Sequence, residues 1–152
     1  MAGPVSLRPT VPSDRDLLLE IYRSTRGREL DAVPWSAAER DAFTVNQFDA
    51  QDHHYRAYYP KASFSVIVAG DQLAGRLYVD RSEADILIID IALLPEQRRQ
   101  GIGRRLVAAI ADEGRRVVCH VEVGNPVARA FWESVGFVET EALGAHVEMR
   151  KG

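Results

Sequence analysis

Four arginines and two glycines stand close together in the middle of the chain, in the run Arg98-Arg99-Gln100-Gly101-Ile102-Gly103-Arg104-Arg105. Glycine lets a backbone approach a ligand with no Cβ in the way. The free N–H groups at a helix start, together with the helix dipole, attract an anion. The residue types and their spacing therefore predict phosphate binding, with a pyrophosphate as the expected ligand. A strand-to-helix turn that holds no ligand is the alternative.

The elements on either side of this run are those needed to position it. The segment from Ile86 to Leu94 is almost continuously apolar and predicts a strand covered on both faces, with Asp90 in its middle. Pro95 then turns the chain. The following segment places Leu106, Val107 and Ile110 on one face of an amphipathic helix. The glycines thus lie between a buried strand and the helix that they open.

The pattern in this loop is R-x-x-G-x-G, running from Arg98 to Gly103. A dinucleotide-binding loop needs a third glycine where Leu106 stands, and no P-loop pattern occurs in the chain. With its preceding strand and following helix, the loop resembles that of the GNAT superfamily of acyl-CoA-dependent N-acyltransferases. The resemblance implies that the loop binds the pyrophosphate of an acyl-CoA.

A second segment, from Asn125 to Phe137, resembles the N-x-x-A-x-x-F-Y-x-x-x-G-F helix of the same family. The resemblance implies that Asn125 lies near the pantetheine and that the helix runs beside it. Trp132 stands where the family often has a tyrosine that protonates the departing thiolate. An indole N–H only donates a hydrogen bond. The group that protonates the thiolate is therefore left open. Another tyrosine (Tyr22, Tyr55 or Tyr78) or solvent could supply the proton, or catalysis could be weak.

The resemblance implies acetyl-CoA as co-substrate, no metal, and a thioester carbonyl polarised by a backbone N–H at a strand bulge near Leu93. We also expect Gly103→Val to abolish cofactor binding by filling the space that the pyrophosphate needs. The residues expected to contact the cofactor are Ile91, Leu93, Leu94, Arg98, Arg99, Gln100, Gly101, Ile102, Gly103, Arg104, Asn125, Arg129 and Trp132.

Three residues are candidates for the base that removes a proton from the attacking amine. Asp90 comes first, because apolar surroundings in a central strand would make a carboxylate a better base. A structural salt bridge to an arginine is the alternative. Glu122 and His120 share one face of the next strand and come second, although a strand histidine is often a hydrogen-bonded structural residue.

The acceptor pocket is expected between the first two helices, their connecting loop, and the strand face that carries Arg76, Tyr78 and Asp80. A packing or solvated role is the alternative for each candidate. The substrate-binding candidates are Glu29, Trp35, Tyr55, Arg76 and Tyr78, and by chemistry alone Asp31, Gln47, His53 and His54. The adjacent pair of histidines does not have metal-ligand spacing.

The element order read from the sequence is β-α-α-β-β-β-α-β-α-β, which predicts an α/β (α+β) fold of the GNAT type with a single mixed central sheet over residues 1–152, one domain. We expect the first helix to begin at Ser13 and fade near Gly27. A capping box starting at Ser36 opens the second helix, which runs towards Asp52. The last strand is expected at residues 147–149.

Composition limits the class of protein. The chain has 152 residues, 46% of them apolar and 27% charged, a net charge of −3 and one cysteine. The charge argues against nucleic-acid binding. No apolar run has the length of a membrane span or of a signal core, and a lone cysteine suits a reducing compartment. We therefore expect a cytoplasmic monomer or homodimer.

Three functions compete on these observations. The first is transfer of an acetyl group from acetyl-CoA to a primary amine of a small molecule or peptide. The second is a catalytically weak or inactive acyl-CoA-binding sensor, which Trp132 favours. The third is a nucleotide-binding regulatory domain, which fits the loop but not the second motif.

Overall fold

A computed structural model describes residues 3–152, apart from the side chains of residues 27–29. Seven strands are present in the described residues: β1 (Val5–Pro9), β2 (Ser63–Ala69), β3 (Gln72–Asp80), β4 (Ile86–Leu93), β5 (Val117–Glu122), β6 (Val138–Leu143) and β7 (His146–Lys151). The helices are α1 (Arg15–Leu30), α2 (Ala37–Tyr58), α3 (Ile102–Ala111) and α4 (Pro126–Ser134), with 3-10 turns at Pro12–Asp14 and Pro95–Gln97.

All seven strands form one sheet in the order β1-β2-β3-β4-β5-β7-β6. Only β4 and β5 run parallel, and every other neighbouring pair is antiparallel. The predicted single mixed sheet is therefore confirmed. One strand was missed: the chain after α4 forms a hairpin of β6 and β7. All six residues of β6 are exposed, so this strand has no apolar alternation by which the sequence could reveal it.

The helix boundaries differ from expectation in three places. Ser13 does not cap α1. Instead, the Asp14 carboxylate accepts hydrogen bonds from the Val11 N–H (2.8 Å) and from Arg8 (2.8 Å), and α1 begins at Arg15. α1 also continues past residue 27 to Leu30.

The capping box of α2 is confirmed. The Ser36 hydroxyl accepts from the Glu39 N–H at 3.1 Å, and the Glu39 carboxylate accepts from the Ser36 N–H at 3.0 Å. α2 runs on to Tyr58, well past Asp52, since no glycine or proline interrupts it before Pro60. Residues 53–58, which include two histidines and two tyrosines, therefore form the last part of α2.

The sheet has a hydrophobic core on each face. The larger core lies under α3 and α4 and includes Leu77, Val79, Ile88, Val107 and Phe137. The smaller one is formed with α1 and α2 by Leu18, Leu19, Ile21, Tyr22, Phe48 and Leu94. Leu77 and Val79 of β3 face the first core, whereas Arg76 and Tyr78 face α2, as the alternation predicts.

The two central parallel strands separate halfway along their length. β4 pairs with β5 only from Ile86 to Ile88, opposite Val117 to Cys119, and beyond that point β4 pairs with β3 alone. Tyr78 pairs with Asp90 and Val79 with Ile88, so the extra residue of the β4 bulge is Ile89. The bulge expected near Leu93 thus lies four residues earlier. The bulge places Asp90 opposite Tyr78 of β3, with Ile89 as the extra residue between the two paired positions.

Candidate functional site

The loop before α3 presents unpaired backbone donors. α3 begins at Ile102 with no side-chain cap, and its first backbone bond runs from the Arg105 N–H to the Gly101 carbonyl at 3.0 Å. Arg99 and Gly101 both have positive φ, at 62° and 78°, and a Cβ on Gly101 would meet no atom within 4 Å. Consecutive N–H groups in such a conformation form a concave anion site. The loop therefore fits a pyrophosphate.

The polar side chains of this loop tie it to its surroundings. Arg98 donates to the Leu93 carbonyl at 3.0 Å and to the Ser24 hydroxyl at 3.3 Å. Gln100 donates to the Glu96 carbonyl at 3.1 Å, and Arg104 donates to the Ser134 carbonyl and hydroxyl at 3.3 Å. These guanidinium groups are exposed and add positive charge around the free N–H groups of α3.

Gly103 lies where α3 meets α4 and β4. A Cβ at Gly103 would lie 3.4 Å from the Phe131 ring and 3.9 Å from Cδ1 of Ile91, which is ordinary van der Waals contact. The expected loss of cofactor binding in Gly103→Val stays a prediction. Gly101 is the glycine whose Cβ position opens onto free space. Ile102 beside it is buried in the core.

The second motif caps and packs α4. The Asn125 side-chain oxygen accepts from the Ala128 N–H at 3.1 Å, so Asn125 is the N-cap of α4. Arg129 pairs with Glu133 at 3.0 Å and also with Glu139. Trp132 is 6% exposed and makes edge-to-face contacts with Phe131 and Phe137, with centroids 5.2 and 4.8 Å apart. These contacts make Trp132 part of the core.

Where β4 has left β5, one edge of β4 carries unpaired backbone groups. The Leu94 N–H donates to the Ala74 carbonyl on β3 at 2.8 Å. Because successive N–H groups of a strand point in opposite directions, those of Ile91 and Leu93 face the gap. The Leu93 carbonyl that accepts from Arg98 lies on the same side. A donor near Leu93 is thus present, although the bulge is elsewhere.

A cleft of about 410 Å³ opens on the α1 and α2 side of this gap. Helix α2, the bulged part of β4, strand β5 and the β6–β7 hairpin each contribute to its wall. The lining residues are Gln51, His54, Tyr55, Tyr59, Leu87, Ile88, Ile89, His120, Leu143 and His146. Tyr55, His54 and His120 were among the sequence candidates, whereas the other seven were missed.

Two signals could have pointed to some of the missed residues. Gln51, His54 and Tyr55 have the i, i+3, i+4 spacing of one helix face, which becomes visible only if α2 is extended to Tyr58. His146 lies opposite Glu122 in the β5–β7 ladder. No sequence signal placed that hairpin beside β5.

The premise for Asp90 as the base is wrong. Its carboxylate does not lie in apolar surroundings, because Nε of Arg76 is 2.5 Å from Oδ2 of Asp90. Arg76 is buried and also donates to the Gln51 side chain at 3.0 Å. Arg76 and Asp90 therefore form an ion pair in which Arg76 is buried and Asp90 half-buried, and Arg76 is not open to an acceptor.

Tyr55 and Tyr78 lie next to this pair. Their rings meet edge-to-face with centroids 6.1 Å apart. Burial raises the pKa of both phenols, and the Asp90 charge raises that of Tyr55 further. Both hydroxyls therefore stay protonated at neutral pH. Tyr55 lines the cleft, whereas Tyr78 is fully buried below it.

The fold places the remaining candidates in different parts of the molecule. Glu122 pairs with Arg26 of α1 at 3.0 Å, so of the three base candidates His120 alone lines the cleft. Trp35 packs against Phe43 at 5.1 Å, at the start of α2 and outside the cleft lining. The side chain of Glu29 lies outside the described residues.

Two further features are absent from residues 3–152. No group of three or more His, Cys, Asp or Glu side chains in that range is placed to hold a metal ion. None of the helices there has the length and apolar content needed to span a lipid bilayer.

A seven-stranded mixed sheet that splits between β4 and β5, next to an uncapped helix start, defines a protein of the N-acetyltransferase class. The chain belongs to the acetyltransferase (GNAT) family, which it matches over residues 20–137. The family uses acetyl-CoA.

Solved structures of low sequence identity share this fold. The PaiA N-acetyltransferase of Thermoplasma acidophilum, in complex with coenzyme A, is 17% identical, with a TM-score of 0.71 over 97% of this chain and 98% of that one. An acetyltransferase of Thermus thermophilus is 20% identical, with a TM-score of 0.71 over 99% of each chain. A variant of the spermidine N-acetyltransferase SpeG of Vibrio cholerae is 18% identical, with a TM-score of 0.63 over 97% and 92%. A comparison with curated protein sequences gives no match.

Proposed function

We propose that this chain transfers the acetyl group of acetyl-CoA to a primary amine of a small molecule or peptide. The single observation that carries the proposal is the separation of β4 from β5 after Ile88 and Cys119. It leaves a gap with the anion-binding loop at one end and the cleft on the α2 side. A thioester and an amine would meet where the gap opens into the cleft.

The cofactor side of this proposal rests on backbone donors. The N–H groups at the start of α3 would hold the pyrophosphate, with positive charge from Arg98, Arg99 and Arg104 around them. The Leu93 N–H would donate to the thioester carbonyl, and a fixed donor of this kind contributes about 3 kcal/mol to transition-state stabilisation. Acetyl-CoA supplies the acetyl group as an activated thioester. The complex of the similar PaiA enzyme with coenzyme A supports this assignment.

Two of the expected cofactor contacts are weaker candidates than the loop. Trp132 is held in the core by Phe131 and Phe137, so its part is to position α4. Arg129 is already paired with two carboxylates. Asn125 remains a candidate, because its amide N–H₂ group stays available while the oxygen caps α4.

On the acceptor side, His120 is the base in this proposal. An imidazole nitrogen with a free lone pair can accept a proton from an ammonium group. Tyr55, which stays protonated and lines the same cleft, would donate a hydrogen bond to the leaving thiolate, and the proton that the thiolate takes up would come from solvent. We also propose that the chain acts as one domain, without metal or nucleic acid, as a cytoplasmic monomer or homodimer.

The competing function is an acyl-CoA-binding sensor without catalysis. Two observations favour it: the residue in the family's acid position is a core tryptophan, and Asp90 is engaged by Arg76. Against it stands the cleft that reaches the gap and contains three imidazoles.

Incubation with acetyl-CoA and a panel of primary amines separates the two, with release of free CoA thiol as the readout. Amine-dependent thiol release is expected. Tight acetyl-CoA binding in calorimetry together with no thiol release from any amine would establish the sensor instead. Absence of binding would contradict both functions.

A further inference from the structure

The cleft is lined without any charged carboxylate or guanidinium group. Its ten lining residues comprise three histidines, two tyrosines, one glutamine and four aliphatic side chains. A polyamine carries several positive charges, and burying them requires carboxylates that are free to pair with them. The cleft walls in the described residues supply none.

The nearest carboxylates below and beside the cleft are already occupied. Asp90 pairs with Arg76 at 2.5 Å and Glu122 with Arg26 at 3.0 Å. Glu148 faces His120 across the β5–β7 ladder, but it pairs with Arg150 at 2.9 Å.

The acids near the α2 end of the cleft are engaged as well. Asp80 accepts from the Ser82 N–H at 2.8 Å, and Asp52 accepts from Arg56 at 3.1 Å. Glu141 is exposed on β6 and does not line the cleft. Among the residues that the structure describes, the cleft lining therefore offers no carboxylate to a second ammonium group of a substrate.

What the cleft does offer is a set of aromatic and imidazole rings beside a few aliphatic side chains. His54 stacks on Tyr58 with ring centroids 5.4 Å apart, and Tyr55 lies 6.4 Å from Tyr59. Leu87, Ile88 and Ile89 form the floor, and Leu143 of β6 forms part of the rim. Rings and aliphatic side chains of this kind bind an apolar or aromatic body by edge and face contacts.

The size of the cleft sets an upper limit on the acceptor. A volume of about 410 Å³ falls in the lower part of the range for small-molecule sites. A single ring with a short aminoalkyl arm fits such a space. His120, His54 and His146 supply imidazole nitrogens that can accept a hydrogen bond from one amino group.

We infer that the acceptor is a small amine with one amino group on an apolar, ring-bearing body, and that polyamines are discriminated against. The inference rests on the proposed acetyltransferase function and specifies its substrate class. It also sets this chain apart from the similar SpeG structure, which is that of a spermidine N-acetyltransferase.

The test compares 2-phenylethylamine with 1,4-diaminobutane and spermidine as acceptors, using acetyl-CoA and thiol release. We expect kcat/KM for 2-phenylethylamine to exceed that for either polyamine by about tenfold or more, the equivalent of losing one charge partner. Equal or higher values for spermidine would overturn the inference and leave the acetyltransferase function intact.

If no amine releases thiol, the proposed function fails. The preference of the cleft for one class of amine can then still be measured as a difference in binding affinity. Calorimetric titration of the CoA-loaded protein with 2-phenylethylamine and with spermidine measures this directly. Tighter binding of the aromatic amine supports the inferred chemistry of the cleft. Tighter binding of spermidine overturns it.

A pair of matched variants tests whether charge in the cleft sets the preference. Leu143→Glu places a carboxylate at the rim, whereas Val138→Glu places one on the same exposed strand outside the lining. We expect Leu143→Glu to raise the ratio of spermidine to 2-phenylethylamine kcat/KM about tenfold, and Val138→Glu to leave it unchanged. An equal shift in both variants, or none in Leu143→Glu, would overturn the inference.

Discussion

Arg76 and Asp90 are joined across neighbouring strands, with Nε of Arg76 2.5 Å from Oδ2 of Asp90. The Arg76 side chain is 5% exposed and that of Asp90 26%. A second guanidinium nitrogen of Arg76 donates to Gln51 on α2 at 3.0 Å. The bulge at Ile89 brings Asp90 opposite Tyr78, within reach of Arg76. This pair therefore ties α2 to the sheet through Gln51, which lines the cleft.

Asp90→Asn is expected to lower the free energy of unfolding by about 3 kcal/mol, because it leaves a buried guanidinium without its counter-charge. Urea unfolding followed by circular dichroism measures the loss. The double variant Arg76→Met/Asp90→Leu, which removes both charges, should recover most of the stability. A stable Asp90→Asn protein with kcat lowered about 100-fold would show instead that Asp90 is the base.

His120→Gln is expected to lower kcat about 100-fold or more while leaving the Kd for acetyl-CoA unchanged, since the base acts on the amine and not on the cofactor. Thiol-release kinetics and calorimetry measure the two quantities. His53→Gln is the matched control, because His53 is exposed on α2 and does not line the cleft. Similar kinetics for both variants would remove His120 from the proposed site.

Gly101→Val should weaken acetyl-CoA binding about tenfold or more. Valine disfavours φ of +78°, so the loop that presents the N–H groups would change conformation. Gly114→Val is a close control, because Gly114 also has a positive φ of 88° with no atom within 4 Å of a Cβ, but it follows α3. Calorimetry compares the variants. A comparable loss of affinity in Gly114→Val would assign the effect to general strain.

In the native protein, Cys119 is not expected to react with a disulfide reagent that labels free thiols. Burial, and secondly the charge of Glu148, raise the pKa of its thiol to about 12, and the side chain is almost fully covered. No thiol should titrate in the native state near pH 8, and one per chain should titrate in guanidinium. Fast reaction of the native protein would contradict the placement of β5. The expected inertness also makes the thiol-release assay free of background.

Stability should fall at acidic pH through Asp14. The Arg8 guanidinium, and secondly the Val11 N–H, lower the pKa of Asp14 from 3.8 to about 2. A depressed folded-state pKa stabilises the protein above the unfolded-state value, and the contribution is lost as the pH falls from about 4 to 2. Because Arg8 is partly exposed, we expect about 1–2 kcal/mol.

Urea unfolding of the wild type and Asp14→Asn over this pH range measures the contribution of Asp14. The difference in unfolding free energy should be largest at neutral pH and shrink towards pH 2. Because the substituted asparagine keeps a side-chain oxygen for the Val11 N–H, the comparison isolates the ion pair with Arg8. If the difference in unfolding free energy between the two proteins does not depend on pH, the ion pair between Asp14 and Arg8 is not the source of the acid sensitivity.

The segment expected to bind the cofactor could be predicted from local sequence patterns. A buried strand, a proline, R-x-x-G-x-G and an amphipathic helix are contiguous from Ile86 to Ala111, so short-range spacing sufficed to predict strand, loop and helix. The same holds for the capping box at Ser36 and the N-cap at Asn125, since each depends on residues three positions apart.

The cleft proposed to bind the acceptor amine could be found only from the tertiary structure. The cleft brings together α2, β4, β5 and the β6–β7 hairpin, and the sequence does not encode which strands neighbour each other or how far β4 and β5 stay paired. A one-residue bulge at Ile89 turned Asp90 towards Arg76, and β7 entered the sheet between β5 and β6. Long-range pairing and burial set these contacts, whereas sequence patterns report only the local period of each element.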